Sequence, residues 1–483
     1  MYPKRQNYLV FGLSRSGKAA ARFLLSRGAN VYIYDEIEND RTAQAVKELE
    51  QHGAKRVLKE NVERMHEHCD GLVLSPGIPI DHALAVAFKR NGKAVLGESE
   101  LAARYMRCPI IAVTGTNGKT TTVSMLTEIL NKGGLKAKAC GNIGTPMLDC
   151  VETPLDEFAV AEISSFQLET LNALCPHIAV VLNVTEDHLN RHYNMENYVF
   201  LKRKLLKNLT ETEFAVLNYD DETVRSFAEK TRARVLYFSV KERVRGAYFE
   251  NGGLYFGKEK ILSADELPIG GVHNIQNALA TIIAAKIVGI KSVDIAAALT
   301  EFKGIEHRIQ TVGQIDGVTY IDDSKGTNVD ATLKAVSAMS GETVLLLGGK
   351  NKGYDYGALF RALPQSKVVH TVLYGENRYA LLQSARTVGF EKLTLCDTFD
   401  FAVKMAAARA KIGQNVLLSP ASASFDEFSS YEERGEKFVE IVHGLAQEKS
   451  VQTQETPNIT DKICPADDVA EPAARNSDEE DAE

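Results

Sequence analysis

Short apolar runs that stop on turn residues, separated by helical patterns, set the plan of this chain. Residues 8–11 form an apolar run that enters a glycine turn from Gly12 to Gly17, and an alanine- and leucine-rich helical stretch follows. Residues 31–34 end on Asp35, and 72–74 run into Ser75, Pro76 and Gly77. Strands alternating with helices, with turn residues at the strand C-termini, predict a parallel sheet whose ligand sits at those ends. Residues 109–113 lead into the loop TGTNGKT and a helix over about 121–131, and 159–163 and 178–182 are further short buried runs ending on polar residues. Beyond Gly304, residues 318–321, 343–347, 368–374 and 415–418 read as strands between helical patterns. The expected fold class is α/β with three domains. These are a dinucleotide-fold-like domain over 1–97, a central P-loop ATPase domain with a parallel sheet over 98–304, and a Rossmann-like domain over 305–447. A disordered acidic tail over 448–483 completes the chain.

Length and composition agree with that division. At 483 residues the chain exceeds one ordinary core, and 44% apolar with 25% charged residues is a globular balance. The net charge of -8 is concentrated at the end: from Val451 on, ten acidic residues stand against Lys462 and Arg475. The tail reads as a solvated appendage or an interaction tail, and the near-neutral body lacks the basic clusters that nucleic-acid binding needs. No run of about 18 uncharged apolar residues occurs, and residues 1–7 lack a signal-peptide stretch, which predicts no membrane insertion and a cytoplasmic location. The seven cysteines are scattered with no CxxC pair, so reduced thiols are expected.

The chemistry starts at TGTNGKT, residues 114–120, between a buried strand and a helix. Gly115 and Gly118 permit tight turns, and the amides of Thr116 and Asn117 with the helix N-terminus face an anion. Lys119 neutralises charge, and the Thr120 hydroxyl can ligate magnesium. A full Walker pattern would have glycine where Val113 stands, so this is a shortened variant. An earlier string, GLSRSGK at 12–18, fails as a phosphate loop because Ala19 has no hydroxyl. It fits a dinucleotide-fold turn better, although Ser14 replaces the middle glycine. His66, Glu67, His68 and Cys69 suggest a metal cluster, but ligands two apart on a helix point apart.

Further strings follow in order: GNIGTP from Gly141, EISSFQLE from Glu162, NVTEDHL from Asn183, HNIQN from His273, EHR from Glu306, DDSKGTN from Asp322 and SPASASFDEF from Ser419. With TGTNGKT they span most of residues 1–447, and the chain resembles the Mur ligases. Its short first domain and the SSFQLE and SPASASFDEF strings are similar to the branch that adds D-glutamate to UDP-N-acetylmuramoyl-L-alanine. No DNPR-type acid-recognition string of the diaminopimelate-adding branch is present. The resemblance implies an ATP- and magnesium-dependent ligase of peptidoglycan precursor synthesis that works through an acyl-phosphate, as a monomer closing its last domain over ATP.

The same resemblance implies roles for particular residues. Lys119, Glu162, His188 and Lys202 are implied as catalytic, with Thr120, Glu162, His188 and Lys202 serving two magnesium sites and Lys202 carbamylated. From residue type alone, Glu162 could equally be a hydrogen-bonded carboxylate, His188 a packed histidine, and Lys202 part of the charged face of a helix with Arg203, Lys204 and Lys207. The nucleotide falls to residues 115–121, including Thr121, with Asn274, Arg308 and Asp323. Asn142 orients the muramoyl substrate, and Ser14, Arg15, Ser16, Asp35 and Ser75 take its uracil and diphosphate. Asp35 contacts a ribose or caps its turn. D-Glutamate, with two carboxylates, calls for lysine and hydroxyl donors. Thr327, Lys352, Ser424 and the Phe425 backbone stand at those motif positions, with Tyr431 nearby; Lys325, a further substrate-binding residue, and Arg308 resemble residues brought toward the phosphates, with a structural salt bridge as the plain alternative for either. Ser422 replaces a frequent cysteine, and GGKNKG at 348–353 carries the extra Lys350.

Overall fold

The apolar runs assemble into three sheets, one per expected unit, in a computed structural model that describes residues 5–351 and 355–454. The first sheet holds β1 (Asn7–Phe11), β2 (Asn30–Tyr34), β3 (Lys55–Arg56), β4 (Gly71–Leu74) and β5 (Ala94–Gly97) in the order β3-β2-β1-β4-β5, all parallel. The first glycine turn has a steric cause. A Cβ on Gly17 would lie 1.8 Å from the Gly12 carbonyl oxygen, so only glycine lets the helix Arg15–Ser26 start this close to β1.

The second sheet is larger than the sequence patterning suggests. It contains β6 (Ile110–Thr114), β7 (Lys136–Gly141), β8 (Glu157–Glu162), β9 (Ile178–Val181), β10 (Phe214–Asn218), β11 (Arg234–Ser239), β12 (Gly246–Glu250), β13 (Gly253–Phe256) and β14 (Glu259–Ser263). The order is β14-β13-β12-β11-β10-β9-β6-β8-β7. The expectation of a parallel sheet is corrected here, because β12, β13 and β14 pair antiparallel. The cause is a tight turn at Asn251 and Gly252, both with positive φ (46° and 74°), the backbone that a two-residue hairpin requires. The helix Val272–Ile287, buried continuously from Ala278 to Ala285, packs on the sheet together with Lys119–Lys132.

The third sheet runs β15 (Gln310–Ile315), β16 (Val318–Asp322), β17 (Thr343–Gly348), β18 (Val368–Tyr374), β19 (Leu393–Leu395) and β20 (Asn415–Leu418) in the order β15-β16-β20-β17-β18-β19. It is parallel except at β15, which turns back on β16 through Asp316 and Gly317, again both at positive φ. The last helix, Tyr431–Gln454, runs past the expected start of the tail at 448. The remainder of that tail lies outside the described residues. Among the described residues no helix is long and apolar enough to cross a membrane.

The helix Glu98–Tyr105 joins the first two units and is bolted to the second by buried carboxylates. Glu98 accepts from the Leu148 amide at 2.7 Å, and Glu100 accepts from the Asn172 and Ala173 amides at 2.6 and 2.8 Å. Burial outweighs these bonds at Glu98 and pushes its carboxyl up to about 7. A carboxyl raised on folding stabilises the native state fully below its unfolded value, and that contribution fades as pH rises through 7. Glu98→Gln should therefore flatten the fall in stability between pH 5 and pH 8, by at most about 3 kcal/mol, in unfolding curves at the two pH values.

Candidate active site

The phosphate loop is shaped by its neighbours. Gly115 and Gly118 hold φ of 156° and 88°, and a Cβ at 118 would sit 2.3 Å from Asn277 Oδ1. The Asn183 side chain pins the loop by accepting from the Asn117 amide at 2.9 Å and donating to its carbonyl at 3.0 Å. Register then delivers the acid: β8 pairs with β6 so that Val113 faces Glu162, which brings this carboxylate beside the loop. Thr120 Oγ1 donates to Glu162 Oε2 at 2.9 Å, and Asn142 Nδ2 donates to Oε1 at 2.8 Å. A hydroxyl and a carboxylate in contact at the end of a phosphate loop are hard oxygen donors of the kind magnesium takes, with phosphate and water completing its shell.

Two ammonium groups converge on one carbonyl. Lys119 Nζ donates to the oxygens of Gly115 (2.9 Å) and Thr116 (2.8 Å), and Lys202 Nζ donates to the same Gly115 oxygen at 2.8 Å. Burial lowers both pKa values. For Lys119 the nearby Glu162 and Asp187 carboxylates oppose the shift, while for Lys202 the neighbouring Lys119 charge adds to it and carries it well below the usual lysine range. Lys202, 1% exposed, comes from the helix Met195–Arg203 and lies 4.7 Å from the centre of the Tyr198 ring. His188 starts a short helix in the left-handed region (φ 55°), with Nε2 3.5 Å from Asp187 Oδ2 and its ring 4.7 Å from that of Phe166.

The third unit closes the cleft. Arg308 reaches Thr121 Oγ1 at 3.1 Å, Asn328 Nδ2 donates to Asp187 Oδ2 at 3.0 Å, and Asp330 accepts from Thr185 Oγ1 at 3.2 Å and from the Asn117 side chain. Lys325 donates to the Tyr431 hydroxyl at 3.1 Å, and burial drops its pKa to about 8. Thr120, Glu162, His188, Lys202, Lys325 and Thr327 thus line one cleft of about 230 Å³, together with Asn142, Arg308 and Tyr431. Asp323 joins a smaller adjoining cleft with Asn117, His273 and Asn277; its carboxyl accepts from Ser419 Oγ at 2.6 Å, and burial pushes it up to about 7. Asn274 is buried beside that cleft, where it accepts from Asn277 Nδ2 at 3.2 Å.

Other expected residues fall elsewhere. Ser424 is buried and Phe425 is 65% exposed; neither lines the main cleft, and Lys352 lies outside the described residues. Lys350 pairs with Glu376, and Ser422 accepts from Asn377 Nδ2 at 2.7 Å beneath the same loops. In the first unit, Ser14 and Ser75 meet through their hydroxyls at 3.0 Å, and Ser16 lies in the first turn of its helix. Arg15 instead donates to the Gly144 carbonyl of the second unit at 2.8 Å. Asp35 accepts from the Leu13 and Ile37 amides at 2.6 and 2.9 Å, as a turn cap does, while lining a cleft of about 970 Å³ with Glu36, Asn39 and Arg56. Among the described residues no group of three His, Cys, Asp or Glu side chains is placed to hold a metal, so neither this cleft nor the 66–69 string forms an all-protein cage.

Sequence reasoning missed Asp187, Asn183, Asn328 and Asp330. The first two lie inside NVTEDHL and Asn328 ends DDSKGTN, where the strings themselves were the signal; Asp330 meets the site only across the contact between the second and third units.

Comparison with known proteins agrees with this arrangement. Residues 6–97 match the Mur ligase MurD-like N-terminal domain, 113–285 the Mur ligase middle domain, and 307–422 the Mur ligase glutamate ligase domain. The chain belongs to the Mur ligase family. A family member from Pelotomaculum thermopropionicum, a UDP-N-acetylmuramoylalanine–D-glutamate ligase, is 43% identical over 91% of this chain and 98% of its own. The ligase of the same name from Thermoanaerobacter sp. (strain X514) is 41% identical over 92% and 99%. The UDP-N-acetylmuramate-alanine ligase MurC of Thermotoga maritima, at 18% identity, shares the fold with a TM-score of 0.59 over 91% of this chain and 99% of that one.

Lys119 lines the cleft at the start of the helix that follows the glycine loop. Lys119→Ala should lower ATP-dependent turnover about 100-fold or more with the fold intact, measured as phosphate release beside a thermal melt.

Proposed function

We propose that this chain is an ATP-dependent ligase that adds D-glutamate to UDP-N-acetylmuramoyl-L-alanine in peptidoglycan precursor synthesis. The carrying observation is the convergence of Lys119, Lys202, the Thr120–Glu162 pair and the third-unit cations Arg308 and Lys325 on one cleft, in a chain whose full-length relatives carry that name.

The chemistry follows from the difficulty of joining a carboxylate to an amine in water. An oxygen of the L-alanine carboxylate attacks the γ-phosphorus of ATP, ADP leaves, and an acyl-phosphate results. The amine of D-glutamate attacks the acyl carbon, inorganic phosphate leaves, the amine gives up a proton, and an amide remains. Because such transfers are governed by positioning and charge, the protein's work is electrostatic. Lys119 turns from the loop carbonyls to the β and γ phosphates. Arg308 and Lys325 approach the transferring group from the third unit, and Asn142 orients the muramoyl end. Asn274 and Asp323 hold adenine and ribose. Thr120 and Glu162 would hold one magnesium ion and His188 a second, and ions bound there would neutralise phosphate charge. Ser14, Arg15, Ser16, Asp35 and Ser75 hold the UDP portion, and Thr327, Lys352, Ser424, Phe425 and Tyr431 hold D-glutamate.

Lys202 is carbamylated in the working enzyme. Its depressed pKa favours the neutral amine that attacks carbon dioxide, and the product is an anion, which replaces the repulsion from Lys119 with attraction. With ¹³C-bicarbonate, wild type should show a carbamate carbon signal that Lys202→Arg lacks, and depletion of carbon dioxide should lower turnover. An unlabelled protein with full turnover would refute this assignment.

The acceptor is tested by incubating the protein with ATP, magnesium and UDP-N-acetylmuramoyl-L-alanine and offering D-glutamate, L-glutamate, meso-diaminopimelate or L-lysine separately. Phosphate release and a product of the added mass are expected with D-glutamate alone. Product with another amine would change the acceptor, and none with any of them would contradict the ligase reading.

A further inference from the structure

Beneath the loops at the strand C-termini of the third sheet lies a buried polar triangle that the chemistry above leaves unused. Asn377 is 1% exposed, and Tyr356 and Ser422 are fully buried. Asn377 Nδ2 donates to Tyr356 Oη at 2.8 Å and to Ser422 Oγ at 2.7 Å, and the two hydroxyl oxygens are 3.0 Å apart. Asn377 Oδ1 accepts from the Gly349 amide at 2.9 Å, and the Asn377 amide donates to the Gly349 carbonyl at 3.0 Å. The orientation of the side-chain amide is fixed by its partners. A backbone N–H can only donate, so oxygen faces Gly349 and nitrogen faces the two hydroxyls.

Asn377 stands at the N-cap of the helix Arg378–Thr387, where an asparagine side chain ordinarily accepts from an amide of the first turn, and it makes no such bond. Its side chain serves two other loops instead: the one after β17, through Gly349, and the one after β20, through Ser422. Those loops are also in main-chain contact. Lys350 N donates to the Ala423 carbonyl at 2.8 Å, and Gly348 N donates to the Pro420 carbonyl at 3.0 Å. A Cβ on Gly349, at φ 141°, would lie 2.2 Å from the Ala423 oxygen, so only glycine permits the approach. Between Pro420 and Ser422, Ala421 is held at φ 55°, a left-handed conformation that a residue other than glycine keeps only where its surroundings fix it. Arg434, fully buried, donates from Nη1 to the Ser422 carbonyl at 3.1 Å and from Nη2 to the Ser324 carbonyl at 2.7 Å, which ties the same framework to the residue before Lys325.

We infer that Asn377 is a positioning residue for the acceptor amino acid: by fixing Gly349 and Ser422 against each other it sets where Ser424 and the Phe425 backbone, two and three residues further on, stand. The inference rests on the reading that this loop holds D-glutamate. The hydrogen bonds of the triangle lie within the third unit, away from the phosphate loop and from the first unit. Loosening it therefore weakens acceptor binding and leaves the nucleotide and the muramoyl substrate bound as before.

The test measures KM for each of the three substrates in the full chain with magnesium. Asn377→Ala should raise KM for D-glutamate about 10-fold and leave KM for ATP and for the muramoyl substrate within about twofold. Ser422→Ala removes one acceptor and should raise KM for D-glutamate about threefold, and the double variant should be no worse than Asn377→Ala alone. Ser422→Cys, whose sulfur still accepts from Asn377, should stay within about twofold of wild type. A folded Asn377→Ala enzyme with wild-type KM for D-glutamate would overturn the inference, as would a rise shared by all three KM values. If Asn377→Ala does not fold, an unchanged KM for D-glutamate in folded Ser422→Ala overturns it equally. Wild-type turnover with D-glutamate is the separate measure of the ligase reading, so the two can fail independently.

Discussion

Two lysine side chains compete for one peptide oxygen at the centre of this molecule. Lys119 and Lys202 both donate to the Gly115 carbonyl, and Lys202 is buried there. Burial lowers the pKa of both groups, and at Lys202 the neighbouring Lys119 charge lowers it further. Glu162 and Asp187 offset part of it, but Arg308 and Lys325 arrive from the third unit with further positive charge. Such a site is satisfied by a polyanion. It is preorganised for triphosphate and for the charge that moves between phosphate and carboxylate during transfer.

The rest of the architecture delivers parts to that point. The strand C-termini of the second sheet carry the phosphate loop and Glu162, each fixed by parallel register with its neighbour. The third unit is docked on the second through Asn328 on Asp187 and Asp330 on the loop and Thr185. The first unit is linked through the buried carboxylates of the helix Glu98–Tyr105 and through Arg191 and Arg15, which donate across the boundary to main-chain carbonyls.

Much of this was legible in the sequence because local chemistry dictates it. Buried parallel strands are short apolar runs, so β6, β9, β17, β18 and β20 were found close to their observed bounds. The strand–loop–helix around 114–120 was legible because a buried strand runs into two glycines that turn at positive φ. The antiparallel edge β12–β14 was not, since its signal is a single Asn-Gly turn within a half-polar stretch. Asp35 was left between a ribose contact and a turn cap; its hydrogen bonds to the Leu13 and Ile37 amides are those of a cap, while the cleft it lines leaves the ribose contact open. Residues that reach the site from another unit, such as Asp330, carry no local pattern. Only packing brings them together.

The central claim is that the muramoyl carboxylate is activated as an acyl-phosphate in this cleft. Both oxygens of the L-alanine carboxylate can be replaced by ¹⁸O, the substrate converted with ATP and D-glutamate, and the released inorganic phosphate analysed by mass. Activation through an acyl-phosphate predicts one ¹⁸O in each phosphate and one in the new amide carbonyl. Phosphate free of label, with amide still formed, would contradict the account.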